Sequence, residues 1–493
     1  MISANLPALQ VIIPLLAAPL AFLLRKPRLV WPFALLTTVL TLLVSIGLLQ
    51  QVLDQGVISY AMGGWSPPWG IEYRVDSANA FVALIVSAMG AIVMFYAGTS
   101  IRHELPEHKQ TLFHVAYLLC LAGLLGIVVT GDAFNVFVFL EVSSLSTYIM
   151  VSLGANRRAL TATFQYLIMG TLGATFILIG VGLMYVMTGT LNMVDLAQRL
   201  PEVAETRTIY SAFAFVTVGV CLKLALFPLH GWLPNAYAYA PSVATAFVAS
   251  TATKVAIYVL LRFVLTIFGV TFSFNTMPLG QILMVLAILA ILIPSTVAIY
   301  QTNIKRLFAY SSVGQVGYII LGISFGTVLG VSAGLLHIFN HALMKGGIFL
   351  ALGCLYYRTG SVQLDAFRGL GKTMPWTMAA IVVGGLGLVG VPLTAGFISK
   401  WYLVMAALEQ GYWPLAVVVL AGSLLAAVYL WKLVEMAYFQ QPESSAAEIK
   451  EAPLALLVPT WLVIASTLYF GINTDLTIGV ATLAAETLIE GVR

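Results

Sequence analysis

Apolar stretches of about 20 residues recur along the whole chain between short polar intervals, and that is the length a helix needs to cross the hydrocarbon of a bilayer. The pattern predicts an all-α polytopic membrane protein of fourteen spans, near 6–24, 31–53, 77–99, 111–130, 133–153, 162–187, 209–240, 243–268, 278–300, 307–327, 330–357, 376–406, 412–439 and 453–472. No polar interval is long enough to separate folded domains. The longest, at 54–76, 188–208 and 440–452, read as loops, and the last of these carries Glu443, Glu448 and Glu451 as a solvated segment. The tail 475–493 reads as a weak amphipathic helix on the membrane surface.

Composition agrees with this pattern. Of 493 residues 60% are hydrophobic and 9% charged, against the roughly 25% charged expected of a soluble protein, and the mean hydropathy is +0.99. A soluble enzyme with one anchor is excluded. Cys120, Cys221 and Cys354 are far apart in apolar runs, which argues against disulfides, iron–sulfur clusters and cysteine zinc sites. The net charge of +4 is scattered over short loops, so nucleic acid is not a partner.

The first apolar run has no basic residue before it and Arg25, Lys26 and Arg28 after it, the reverse of a secretory signal, so it reads as a retained helix with its N-terminus outside. On that orientation the inner loops collect Arg25, Lys26, Arg28, Arg102, Lys109, Arg157, Arg158, Lys305, Arg306, Arg358, Arg368, Lys372 and Lys450. The outer side has only Arg74, Arg199, Arg207 and Arg493, as the positive-inside rule requires, and both termini fall outside. The remaining basic residues, Lys223, Lys254, Arg262, Lys345, Lys400 and Lys432, fall inside spans.

Two spans are too long for one crossing and carry helix breakers. In the seventh, Pro228, Gly231 and Pro234 follow Lys223; in the twelfth, Gly384, Gly385, Gly387, Gly390 and Pro392 precede Lys400. Paired interruptions in two halves point to an inverted-repeat transporter with its ion path at the breaks, although proline and glycine also merely kink membrane helices.

A charge at the bilayer centre costs a few kcal/mol at least, so each one needs a partner or a purpose. Glu141 is the lone acid of the fifth span, in FVFLEVSSLS (137–146), while Lys223 and Lys254 lie deep in the seventh and eighth. His337, His341 and Lys345 stack on one face of the eleventh at i, i+4, i+8, and Lys400 is mid-span in the twelfth. Together these are the parts of a proton relay. Burial disfavours the charged form of a lysine or a carboxylate and pairing restores it, so a pair that opens and closes releases and holds a proton in turn. Single members have plainer readings: Lys432 and Arg262 as charges reaching the interface, the histidines as hydrogen-bonded core residues. No Asp, Glu or Cys on the histidine helix completes a metal ligand set, and no cofactor is implied.

Three strings, FPLHGWLPN (227–235), KRLFAYSSVGQVGY (305–318) and HIFNHALMK (337–345), resemble the signatures of the antiporter-like subunits of respiratory complex I and of multi-subunit Mrp-type cation/proton antiporters. The resemblance covers about spans three to thirteen. It implies the fourteen-helix fold with an inverted repeat of spans four to eight and nine to thirteen. One integral domain, 1–493, would then comprise N-terminal helices in 1–110, a first half-channel in 111–268, a second in 278–439, and a C-terminal helix and tail in 453–493.

Carried over by motif, Glu141 resembles the fifth-helix glutamate that pairs with the broken-helix lysine, Lys223. Lys254 resembles the link between half-channels, His337, His341 and Lys345 the central axis, and Lys400 the terminal charge of the second half-channel. A lysine at 400 argues against the complex I M-type subunit, and the chain lacks the long C-terminal extension of the L-type and Mrp A-type subunits. The Mrp D-type subunit is the better likeness, with the complex I N-type as rival; the segment GGWSPPWGI (63–71) leading to Asp76 also looks D-type, while Asn235 departs from the acid frequent there. The resemblance implies a secondary transporter subunit in the cell (inner) membrane, not an enzyme in itself, that exchanges protons for Na+, with K+ or Li+ as further candidates, beside other subunits of a hetero-oligomeric complex. Alternatives are a proton-pumping subunit of complex I or of a membrane-bound hydrogenase, and a stand-alone channel or bicarbonate-uptake partner.

Overall fold

Polar intervals separate the helices, and at several of them a side chain caps the helix that follows. A computed structural model describes residues 3–24, 26–441 and 449–490. Arg25, Glu443 and Glu448, which the sequence places in loops, and Arg493 of the tail lie outside the described residues. Helices α1 (Leu6–Leu24) and α2 (Pro27–Gln55) lead into a hairpin of β1 (Ile58–Ala61) and β2 (Glu72–Val75), antiparallel with Ile58 opposite Val75 and Ala61 opposite Glu72. Then follow α3 (Ser77–Glu104), α4 (Glu107–Val129), α5 (Ala133–Ser152), α6 (Arg158–Thr188), α7 (Met193–Val203), α8 (Arg207–Lys223), α9 (Leu233–Tyr239) and α10 (Ser242–Leu261). A π-helical segment, Arg262–Ile267, prolongs α10.

The second half contains α11 (Leu279–Ile299), α12 (Ile304–Ser324), α13 (Val328–Thr359), a single turn α14 (Leu370–Thr373), α15 (Pro375–Val389), α16 (Ala395–Glu409), α17 (Trp413–Val434), α18 (Leu454–Ile472) and α19 (Asp475–Glu490). Side chains of Asp76, Asp132, Asn192, Thr206, Asn303 and Thr327 accept from the first free N–H groups of α3, α5, α7, α8, α12 and α13, the groups that a helix start leaves unpaired.

Among the described residues twelve helices are long and apolar enough to cross a membrane. The pairs α8/α9 and α15/α16 occupy the places of the seventh and twelfth predicted spans as broken helices. Burial sorts the helices into two shells. In α10, α12 and α13, 94% of the most apolar window is buried inside the protein, against 33% in α2 and α17 and 39% in α6 and α11. The outer shell is the more exposed, and Lys254, His337, His341 and Lys345 of the inner helices are shut away inside it. Close approach of α8 to α6 depends on glycine: a Cβ on Gly219 would stand 2.6 Å from the Gly173 carbonyl oxygen. The chain alternates across the membrane, and the helix ends bearing Arg102, Lys109, Arg157, Arg158, Lys305, Arg306, Arg358, Arg368 and Lys372 share one face, which we call the basic face.

Three expectations change. The interval 188–208 folds as the short helix α7, and 54–76 as the β-hairpin. The tail is helical but does not lie free on a surface: α19 buries Val480, Ala481, Ala484, Ala485 and Leu488 against α3 and α13, and Thr487 Oγ1 hydrogen-bonds Ser77 Oγ at 3.0 Å. Arg262 does not reach an interface. Its guanidinium meets both Asp76 carboxylate oxygens at 2.5 Å while Nε donates to Tyr258 at 2.8 Å, and both charged side chains are buried. Lys432, also read as interface-reaching, donates to the Ile299 and Gln301 carbonyls at 2.9 and 3.0 Å at the end of α11, where a cation suits the helix dipole.

Asp76 thus caps α3 and ties it to the end of α10. Replacing it by alanine leaves a buried, unpaired guanidinium and is expected to cost about 3–5 kcal/mol. Reversible denaturation in detergent micelles checks this, and Asp76→Ala combined with Arg262→Leu is expected to regain much of the loss.

Candidate functional site: a buried polar axis

At the seventh span α8 ends on Lys223 and the backbone turns through Ala225, a non-glycine residue at φ 58°. At the twelfth, the break between α15 and α16 passes through Leu393 at φ 73°. Among the described residues these two are the non-glycine positions with left-handed backbone, a conformation that costs on the order of 1–3 kcal/mol, and each sits in a break beside a lysine. A break frees carbonyls that hydrocarbon cannot satisfy. In the first, Trp232 of FPLHGWLPN stacks on Tyr166 at 4.0 Å between centroids, and its indole N–H donates to the Leu222 carbonyl at 3.0 Å. In the second the lysine takes the freed oxygens itself: Lys400 Nζ donates to the Leu388 and Val389 carbonyls at 2.8 and 3.1 Å, to Ser423 Oγ at 2.8 Å, and lies 4.4 Å from the centroid of the Tyr318 ring.

The first half holds the one carboxylate of the axis. Lys223 Nζ lies 3.5 Å from Glu141 Oε1 and donates to Ser144 Oγ at 2.9 Å. The Lys223 side chain is 6% exposed and that of Glu141 26%, so Glu141 is the end of the pair nearer the flank of the bundle. Beside Lys223 a cavity of about 30 Å³, lined by Ser143, Ser144, Thr147, Ala252 and Val255, is wide enough for one water molecule against α10.

On α10, Lys254 is fully buried and donates to the Ala249 carbonyl and, at 3.3 Å, to Thr253 Oγ1. It lies within electrostatic range of His337, His341 and Lys345, as Lys400 does of His337. On α13 the two imidazoles stack 6.1 Å apart with planes 15° from parallel. His337 Nε2 donates to Gln315 Oε1 at 3.0 Å, and Nδ1 shares a hydrogen bond with Ser399 Oγ at 2.8 Å. Among the described residues neither nitrogen of His341 has a partner. Lys345 Nζ donates to the Phe308 carbonyl and to Ser311 Oγ, both at 2.9 Å, and Ser311 Oγ is 2.7 Å from the Tyr429 hydroxyl.

The structure therefore gathers Lys254, His337, His341, Lys345 and Lys400 in one region and pairs Glu141 with Lys223 beside the small cavity. Sequence reasoning missed the neutral partners: Ser144, Ser311, Gln315, Ser399, Ser423 and Tyr429. Three of these stand inside strings already singled out, Ser144 at i+3 from Glu141 and Ser311 and Gln315 in the 305–318 run. Asn235 Nδ2 donates to Gln165 Oε1 at 3.0 Å.

An α-helical bundle with two broken helices, and a chain of ionisable side chains sealed inside it, defines an antiporter-like membrane protein. The chain matches the NADH:quinone oxidoreductase/Mrp antiporter transmembrane family model over residues 130–426 and belongs to that family. It is 42% identical over 474 residues to the N-type subunit of the NADH-quinone oxidoreductase of Desulforudis audaxviator, covering 93% of each chain. It is 30% identical over 471 residues to the D-type subunit of the Na+/H+ antiporter of Alkalihalophilus pseudofirmus, covering 95% of this chain and 94% of the relative. A chain of the Mrp complex from a Dietzia species superposes with a TM-score of 0.90 at 25% identity, over 99% of this chain and 98% of that one.

Trp232→Phe keeps the stack on Tyr166 and removes the N–H that satisfies the Leu222 carbonyl. It is expected to lower stability by about 1–3 kcal/mol, measured by unfolding in detergent, with the protein still inserted and monodisperse.

Proposed function

We propose that this chain is the proton-translocating subunit of a multi-subunit monovalent cation/proton antiporter. The observation that carries the reading is the lysine at each helix break, one paired with Glu141 and the other held by freed carbonyls, with Lys254, His337, His341 and Lys345 between them. In this reading residues 111–268 form the first half-channel and 278–439 the second. Glu141 passes a proton to Lys223 when their contact opens, Lys254 links the halves, the α13 residues carry the proton onward, and Lys400 is the terminal station. The basic face is cytoplasmic by the positive-inside rule, which places the N-terminus outside.

The family, the likeness to a D-type antiporter chain and the superposition on the Mrp complex support antiport of Na+ in company with other subunits. Where more than one proton enters per cation expelled the exchange is electrogenic, and each net charge moved through 100 mV yields about 2.3 kcal/mol, enough to sustain a cation gradient of more than about tenfold. The 42% identity to an N-type chain of NADH-quinone oxidoreductase favours a second reading, in which the same relay is driven by electron transfer in partner subunits.

Everted vesicles carrying the whole native assembly in an antiporter-deficient host separate the two. Antiport predicts that added Na+ discharges a respiration-generated pH gradient and that Lys223→Ala abolishes the discharge at normal protein level; full antiport in that mutant would remove Lys223 from the path. If Na+, K+ and Li+ all leave the gradient intact in a complete assembly, the redox-driven reading replaces the first. Lys400→Ala is expected to block transport as fully as Lys223→Ala, because a series relay fails at either station; a residual rate above about one tenth would show that protons bypass the second break.

A further inference from the structure

A second cavity, larger than the one beside Lys223, lies away from the relay. It has a volume of about 440 Å³ and opens at the basic face, where the ends of α3, α9 and α13 meet the starts of α6, α10 and α12. Its wall carries Arg158, Lys305 and Arg306 against a single carboxylate, Glu104. Among the described residues none of the three cations makes an ion pair within 4.0 Å. Lys305 is 4% exposed, and its ammonium is held by neutral oxygens, the Ala240 carbonyl at 3.1 Å and Ser242 Oγ at 3.3 Å. Among the same residues Arg306 Nε is buried with no partner, and the Arg158 guanidinium donates only to the Tyr239 hydroxyl, at 3.3 Å.

Glu104 offsets one of these three charges without forming an ion pair with any of them. Its Oε1 accepts from Ser100 Oγ at 2.8 Å and its Oε2 from the Ser242 backbone N–H at 2.9 Å, so its charge is directed at the start of α10. The cavity is left with a surplus of two positive charges, and the positive ends of the α6, α10 and α12 dipoles are offset by the negative ends of α3, α9 and α13. Such a field repels protons and metal cations, which argues against an entry funnel for the relay. Two guanidinium forks and an ammonium around one space are the donors that a tetrahedral dianion takes up, and the volume admits a group larger than a halide.

We infer that this cavity is a phosphate-binding site, for a phosphate group carried either by a free anion or by an anionic lipid headgroup. The test uses the intact assembly in nanodiscs. In phosphatidylcholine discs, calorimetric titration with inorganic phosphate detects a free-anion site; in discs containing phosphatidylglycerol, native mass spectrometry detects a retained lipid. Binding in either arm that falls at least about tenfold in Arg158→Gln/Arg306→Gln supports the site and identifies the source, since each lost cation removes a charge-assisted hydrogen bond. Glu104→Gln, which keeps an acceptor for Ser242 and removes the only negative charge, is expected to strengthen binding several-fold. That variant decides the question if the double mutant fails to assemble. Absence of binding in both arms, or binding that ignores all three substitutions, overturns the proposal.

Discussion

An ammonium group inside a slab of hydrocarbon must be given oxygen atoms, and most of this architecture can be read as the means of supplying them. Lys254, Lys305, Lys345, Lys400 and Lys432 each take at least one backbone carbonyl; Lys223 takes a hydroxyl and the carboxylate of Glu141. An unbroken helix has no interior carbonyl to spare, so donors of this kind call for a helix end, a break or a shared acceptor. Both breaks stand beside a buried lysine, and a left-handed non-glycine residue in each keeps the chain from closing back into regular helix.

The two shells follow from the same constraint. A helix that carries several charges cannot face lipid, and α10, α12 and α13 are accordingly wrapped by helices whose own sequences are almost purely apolar. The wrapping helices contribute at particular points: Ser423 and Tyr429 of α17 reach inward to Lys400 and to Ser311. Glu141, on the less buried α5, is the exception. Its side chain is the more exposed member of its ion pair, on the flank where the first half begins.

Much of this is legible in the chain because charged residues are scarce. With 9% charged residues, each lysine inside an apolar run stands out, and the Pro/Gly clusters after Lys223 and before Lys400 mark the breaks directly. The histidine ladder follows from i, i+4, i+8 spacing alone. What the chain hides is everything neutral. A serine in a membrane helix usually bonds its own i−4 carbonyl, so nothing in the spelling of Ser144 or Ser311 says that it serves a lysine 79 or 34 residues away. Arg262 misleads because its place near the end of an apolar run suggests escape to the interface, whereas Asp76, 186 residues earlier, holds it inside. Tertiary contacts of this range leave no local periodicity.

The packing around α13 bears on how such a protein is made. α13, which carries both histidines and Lys345, is flanked by α3, α10, α12, α15 and α16, and its remaining side is closed by α18 and α19, the last helices in chain order. That side is apolar, with Phe339 against Phe470, whereas the polar ladder faces α12 and α16, so during synthesis His337 enters the bilayer 62 residues before its α16 partner Ser399 exists. For that interval the nascent chain has to be shielded by something other than itself, and biogenesis of this protein becomes a matter of timing as much as of hydrophobicity.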